Sequence, residues 1–261
     1  MSQRVSVHPT AQVDPGARLG DGTTVGAFSV IGAEVVIGEG SQIGPQSVVE
    51  GPTTLGARCR VFPFACIGME PQDLKYRGER TTLEIGDDNV FREGVTVHRG
   101  TVGGGGATRI GSGNLLMAQT HVAHDCRVGS GVIFANAATL AGHVTVEDGA
   151  TIGAFSGVHQ FCRVGEHAYI GGYSVITQDA LPYALTVGNR ARSYGINVIG
   201  LARKKFPDET IQALKQAYRV LFRSKLGLQA GIERLELDFP GHPEVGRMIG
   251  FIRSSQRGVI R

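Results

Sequence analysis

No two of the four cysteines, Cys59, Cys66, Cys126 and Cys162, stand in a CxxC pair. That argues against a structural zinc cluster and against a redox dithiol. No apolar run is long enough to span a bilayer, and Met1-Ser2-Gln3-Arg4 does not open a signal peptide, so a cytoplasmic chain is expected. Tryptophan is absent. Glycine, at 39 residues, does not recur at every third position, which excludes a collagen-like chain. No GKS or GKT follows the glycine run 103–106, and no strand–helix unit surrounds it, which discounts a phosphate-cradling loop. Recognised nucleic-acid motifs are missing too.

What the chain does contain is a beat of six. A branched aliphatic residue returns at Val7, Val13, Leu19, Val25, Ile31, Ile37, Ile43, Val49, Leu55, Val61 and Ile67. It resumes in phase at Ile85, Phe91 and Val97, slips by one residue, and continues from Ile110 through Val122, Leu140 and Val158 to Ile176. No helix has period six. Six residues make one short strand plus a turn, and three such units close a triangular coil of about 18 residues with the aliphatics inward. The expected fold is mainly β: a parallel β-helix of hexapeptide repeats over residues 1–189, followed by a small α-helical domain over 190–261. Glycine suits the corners, many of which need positive φ. Cys59, Cys126 and Cys162 each fall four places after an anchor, at the small inward position, and read as packed thiols. Asp125 beside Cys126 discourages a thiolate nucleophile.

Two insertions interrupt the beat, near 68–84 and 98–109. The first carries Pro71, Asp73, Lys75 and Tyr76 and returns in phase, as a functional loop pushed out of a solenoid would. The second, with four consecutive glycines, reads as flexible and exposed. After Asn189 the beat stops. Asp208 to Arg223 has a helical apolar face, and Leu228 to Leu237 and Glu244 to Arg253 are further helical candidates. These helices would cover the open end of the last coil, whose bare strand edge invites aggregation. Residues 190–261 hold about 14 Lys/Arg against about 6 Asp/Glu, which suits an acidic partner.

Histidines cluster at His121, His124, His143 and His159. His124 and Gly142 each stand two places after an anchor and one full coil apart in sequence, so Gly142 lies directly beyond His124 on the same side. An imidazole above a backbone N–H combines a general base with an oxyanion donor. Three nearby histidines are also the ligand set of a β-helical zinc hydratase. A non-catalytic β-helical scaffold is the third reading, and it would need neither the histidines nor the insertion.

The blocks Gln72-Asp73-Leu74-Lys75-Tyr76, Val97-His98-Arg99-Gly100-Thr101, His121-Val122-Ala123-His124-Asp125-Cys126, Ala138-Thr139-Leu140-Ala141-Gly142-His143 and Val158-His159-Gln160-Phe161-Cys162 carry a resemblance over essentially the whole chain. The sequence resembles the bacterial acyl-[acyl-carrier-protein]–UDP-N-acetylglucosamine O-acyltransferases of lipid A synthesis. The resemblance implies a left-handed β-helix and a homotrimer with active sites between subunits. It implies transfer of an R-3-hydroxyacyl chain from acyl carrier protein to the sugar 3-hydroxyl. Under it His124 is the general base, Asp125 its orienting acid and the Gly142 N–H the oxyanion donor. Asp73, Lys75, His98, His121, His143, His159, Gln160 and Arg203 resemble substrate-binding positions. Asn136, Ala141, Arg163 and Gly172 resemble positions along the acyl and pantetheine path, with Gly172 near the residue that sets acyl length. No resident cofactor or metal is implied; phosphopantetheine arrives on the carrier protein as substrate. Ile199 and Lys204 depart from the acidic residue and the arginine that the resemblance leads one to expect. The related N-acyltransferases usually add an amino-terminal uridine-binding domain, whereas the repeat here starts almost at Met1.

Overall fold

The computed structural model describes residues 4–261; Met1, Ser2 and Gln3, which entered the reading of the amino terminus, lie outside them. Strands of mostly two residues alternate with turns and stack into three sheets of eleven, nine and eight strands, parallel throughout except for the last pair of the eleven-stranded sheet. The chain therefore winds a three-sided prism. Val25, Phe91, Leu116 and Phe134 are anchors of the first face, Val97, Val122, Leu140 and Val158 of the second, and Ile110, Val128, Val146 and Val164 of the third. All of these anchors are buried, and they form one continuous core. The corner that follows each face is called here by that face's number.

Register holds because a slip by a single residue would turn the anchors outward. Most paired anchors are separated by one regular coil, as with Val122 and Leu140. Two coils are longer. Leu55 pairs with Ile85 across the first insertion, and Ile85 pairs with Ile110 across the second, so both insertions bulge outward while the core stays in register. The small inward residues are held by the next coil: Ser41, Ser47 and Ser156 donate to the carbonyls of Gly56, Phe62 and Gly171 at 2.9, 2.9 and 2.8 Å. These three buried hydroxyls are thus satisfied inside an apolar prism.

Glycine takes positive φ at several corners as expected, among them Gly22, Gly40, Gly131 and Gly149, but that is only part of its role. Many corners with positive φ carry other residues, among them Phe28, Asp125, His143 and Tyr173. Glycine is also demanded just after an anchor, where coils approach closely. A Cβ on Gly38 would lie 2.5 Å from both Ala57 N and Gly56 C, backbone atoms that cannot step aside.

Beyond the prism, Ala184–Val187 and Arg192–Ile196 form an antiparallel hairpin, which the six-residue beat did not reveal. Four helices follow: α1 (Val198–Arg203), α2 (Asp208–Phe222), α3 (Leu228–Asp238) and α4 (Pro243–Arg253). The last three lie where the sequence put them, and α1 is additional. The helices share a second core with Leu181, Tyr183 and Ala184 from the end of the prism. The chain end closes the last coil directly. Asp179 N donates to Gly258 O and Ile260 N to Asp179 O, both at 2.9 Å, and Ile260 joins the prism core. Among the described residues no helix is long and apolar enough to cross a membrane.

Candidate active site

The second corner carries the chemistry. Because Val122, Leu140 and Val158 are register partners, the residues two places on, His124, Gly142 and Gln160, form one column. Asp125, His143 and Phe161 form the adjacent column, all three with φ between 61 and 64°. Left-handed backbone costs about 1–2 kcal/mol at a residue with a Cβ. Here it turns the side chains of Asp125, His143 and Phe161 out at the corner.

His124 Nδ1 and Asp125 Oδ2 are 2.7 Å apart. The Asp125 side chain has no exposed surface, while His124 keeps 14% and His143 24%. A buried carboxylate needs partners. Thr101 N donates to Oδ1 and Thr101 Oγ1 to Oδ2, each at 2.7 Å, and Thr108 Oγ1 accepts the Asp125 N–H at 2.8 Å. The run 98–109 is therefore an ordered turn around a short 3₁₀ segment, Val102–Gly104, and not a loose loop.

With Nδ1 turned to Asp125, the far edge of the imidazole lies over Gly142: a Cβ there would fall 2.6 Å from His124 Cε1 and 2.8 Å from Nε2. The neighbouring amides of Ala141 and His143 donate to Val158 O and His124 O, whereas the Gly142 N–H has no acceptor among the described residues. His143 meets His124 edge-on at 5.2 Å and stacks on Phe161 at 4.5 Å.

One coil back, Thr96 Oγ1 holds His121 Nδ1 at 2.7 Å, and His98 packs edge-on against His121 at 4.9 Å. Burial, then the charges His121 and His124 would carry, pushes His98 down to about 4. Burial and His124 likewise lower His121. His98 is thus a neutral ring at pH 7, and its buried Nδ1 has no partner. Since His98 titrates near 6.5 unfolded and about 4 folded, the unfolded chain takes up the proton first as pH falls. Stability from this group is full above pH 6.5 and falls by up to about 3 kcal/mol by pH 4. His121 and His167, also lowered, act in the same direction. Urea unfolding at pH 7 and pH 4.5 measures the loss; an unchanged slope in His98→Gln would remove this assignment.

The remaining predicted residues follow on the next coil of this corner or lie elsewhere in the single chain. His159 and Gln160 are exposed on the next coil, with His159 Nδ1 3.2 Å from Arg257. Asp73 and Lys75 sit on the first insertion, where Asp73 Oδ1 accepts Lys75 N at 2.9 Å. The root of that loop is clamped by Arg99, whose Nη1 donates to Gly51 O and Gly68 O. Ala141 adjoins Gly142, but Asn136 and Gly172 are exposed at the first corner. Arg203 ends α1, which is tied to the third corner through Asn197 and His167 O. One expectation needs correction. The Arg163 guanidinium is not free for a pantetheine arm: it binds Glu147 at 3.0 Å and Ser254 at 2.9 Å and lies on the Phe251 ring. Lys204 is bound within its own chain, to Gly149 O at 2.7 Å and His167 Nδ1 at 3.0 Å.

Cys126 is buried, donates to Ala141 O, and its thiol is pushed up to about 12 by burial, so it is no nucleophile. His124, Asp125 and His143 are close enough to suggest a metal cage. Yet Asp125 already accepts from Thr101 and pairs with His124 Nδ1, and among the described residues no third histidine joins the group. The donor set fits a hydrogen-bonded acid–base pair and not the three-histidine zinc site.

Hexapeptide coils with this imidazole–amide pair define an acyltransferase of the hexapeptide-repeat class. Two family models match: one for bacterial transferase hexapeptide repeats over residues 107–142 and 143–178, and one described as Udp N-acetylglucosamine O-acyltransferase, domain 2, over 179–260. An acyl-[acyl-carrier-protein]–UDP-N-acetylglucosamine O-acyltransferase from Myxococcus xanthus is 54% identical over 211 residues, 81% of this chain and 82% of the relative. Among solved structures, LpxA from Acinetobacter baumannii is 42% identical with a TM-score of 0.94, covering 98% of this chain and 99% of its own. The UDP-N-acetylglucosamine O-acyltransferase (LpxA) from Moraxella catarrhalis is 40% identical with a TM-score of 0.94 and the same coverage. The chain belongs to the acyl-[acyl-carrier-protein]–UDP-N-acetylglucosamine O-acyltransferase family. It is an acyltransferase built on the left-handed parallel β-helix with a carboxy-terminal helical domain.

Proposed function

We propose that this enzyme transfers an R-3-hydroxyacyl chain from acyl carrier protein to the 3-hydroxyl of UDP-N-acetylglucosamine, the first step of lipid A synthesis, by general-base catalysis at the second corner. The observation that carries the mechanism is the His124 imidazole, its Nδ1 on Asp125 and its far edge against Gly142, whose N–H is unengaged among the described residues. His124 Nε2 takes the hydroxyl proton as the sugar oxygen attacks the thioester carbonyl. The Gly142 N–H donates to the resulting oxyanion. The intermediate collapses, the C–S bond breaks, and the imidazolium returns its proton to the pantetheine sulfur. A thioester is already activated, so no covalent enzyme intermediate is required.

Two features support a homotrimer with shared sites. Arg203 and His124 stand at different corners of one prism, so a single chain does not bring them together. The first corner also presents Phe28, Phe64, Phe155 and Tyr173, which are 65, 59, 55 and 71% exposed. Such a file of bare aromatics fits a protein contact. A native mass of one chain would exclude the trimer.

The carrier protein is assigned to the basic carboxy-terminal region. Lys215 and Arg219 on α2 and Arg223 at its C-cap recur every four residues and, with Tyr194, line a cleft of 320 Å³. Arg190, Arg192 and Arg261 line a second cleft, of 660 Å³. None of these six makes an ion pair among the described residues, which leaves them for an acidic partner. A carrier-protein donor and four unpaired thiols fit the cytoplasm.

The test is acyl transfer from 3-hydroxyacyl carrier proteins of graded length to UDP-N-acetylglucosamine or its 3-amino analogue. Preference for the amino analogue would reassign the acceptor. The triple variant Lys215→Glu/Arg219→Glu/Arg223→Glu is expected to raise KM for the carrier at least about tenfold while KM for the nucleotide sugar holds. Unchanged carrier KM would move the docking surface elsewhere.

A further inference from the structure

We infer that Thr101 is a positioning residue for the acid–base pair, fixing the Asp125 carboxylate at the angle that presents Oδ2 to His124; this rests on the general-base reading of His124. Thr101 lies outside the regular repeat and reaches Asp125 only because the second insertion folds back over the corner. Both Asp125 oxygens are pinned by this one residue, Oδ1 by its N–H and Oδ2 by its hydroxyl, each at 2.7 Å.

The direction of the hydroxyl proton is determined. Thr101 Oγ1 accepts the Gly104 N–H at 3.2 Å, so its own hydrogen is free for Asp125. Thr101 O accepts from Gly104 N and Gly106 N, which locks the turn behind it. Gly104 is what lets the turn come this close: a Cβ there would fall 1.9 Å from Asp125 Cγ. Thr101 is 8% exposed, while Val102 beside it is 65% exposed, so the turn covers Asp125 and faces solvent on its other side. Thr101 touches no reacting atom in this arrangement and acts through Asp125.

The charged and titratable neighbours are few. His143 Nε2 is 3.7 Å from Asp125 Oδ2. His98 stands on the preceding coil and packs against His121, which leads into His124 on the same coil, with the Arg99 guanidinium turned away to Gly51 O and Gly68 O. The Cys126 thiol lies buried alongside, on Ala141 O. Among the described residues only Thr101 gives the Asp125 carboxylate both a main-chain and a side-chain donor. Its hydroxyl shares the charge on Oδ2 with His124. Without it more of that charge acts on the imidazolium that forms during transfer, which moves the acidic limb of the rate profile. The carboxylate also gains freedom to turn, which degrades the aim of Nε2.

Thr101→Val keeps the shape and the main-chain donor and removes the hydroxyl. The expected result is a kcat about tenfold lower, a KM for the nucleotide sugar within about twofold, and an acidic limb of the pH–rate profile about half a unit higher. Thr101→Ser is expected to restore all three. A folded Thr101→Val with wild-type kcat and profile overturns the inference, as does an equal loss in Thr101→Ser. Should the valine variant not fold, wild-type enzyme with ¹⁵N-histidine reads the His124–Asp125 contact that Thr101 is inferred to aim. A proton on His124 Nδ1 is expected there, and a proton on Nε2 in the neutral ring overturns the inference. His124→Ala separates the two ideas. Full activity in that variant removes the base, whereas an unaltered Thr101→Val beside an inactive His124→Ala removes only the role of Thr101.

Discussion

His124→Ala is expected to lower kcat by about 10²–10⁴-fold while leaving a folded prism. The size follows from the reaction. The sugar hydroxyl is a poor nucleophile until its proton has somewhere to go, and the ring that lies against Gly142 is that of His124. Survival of the fold follows from the side chain's place. His124 points out of the corner, and the core anchor Val122 is untouched by its removal. Asp125 loses one partner but keeps both bonds from Thr101. Activity should therefore vanish at nearly wild-type Tm. Steady-state turnover near that of the parent would eliminate His124 as the base, and a large fall in Tm would show that the loss is structural.

The second large effect is expected from Asp125→Asn, at about 10²–10⁴-fold in kcat. The two oxygens of Asp125 are not equivalent. Oδ1 accepts the Thr101 main-chain N–H, which cannot become an acceptor. An asparagine must keep its carbonyl oxygen there and place its NH₂ where Oδ2 stood. That NH₂ faces His124 Nδ1, which must then accept, so the ring proton moves to Nε2. The imidazole would remain in position and present a donor where a base is needed. Thr101 Oγ1 is able to turn its lone pair to the new NH₂, so folding should persist. Measured kcat, with the ring proton located by ¹⁵N spectra, checks both halves. A variant with the proton on Nε2 and wild-type turnover would break the link between tautomer and catalysis.

The same contrast separates what was legible in the chain from what was not. The spacing of His124 and Gly142 could be read as stacking because both insertions precede Ile110, and the coil between the two residues has its regular length. Thr101 could not be read that way. It lies across the second insertion, where Val97 pairs with Val122 over a lengthened coil and the arithmetic no longer maps sequence onto height. The four glycines nearby looked like slack, yet one of them is required by the approach to Asp125. Helix α1 escaped notice because so short a helix, with a glycine in it, carries too little periodicity. Arg163 looked like an available cation. Only the packing of α4 on the third face reveals that Glu147, Ser254 and Phe251 already occupy it.

By itself, the sequence determined the three-sided prism, its register and the corner where imidazole and amide meet. These depend on a local period, which each coil imposes on the next through inward side chains and strand pairing. Tertiary structure alone decided which charged groups are free and which are spent in internal bonds. It also decided how the Asp125 carboxylate is held and where Arg203 stands relative to His124. Those outcomes depend on loops and helices that leave the repeat, where contact is governed by packing across the chain and not by spacing along it.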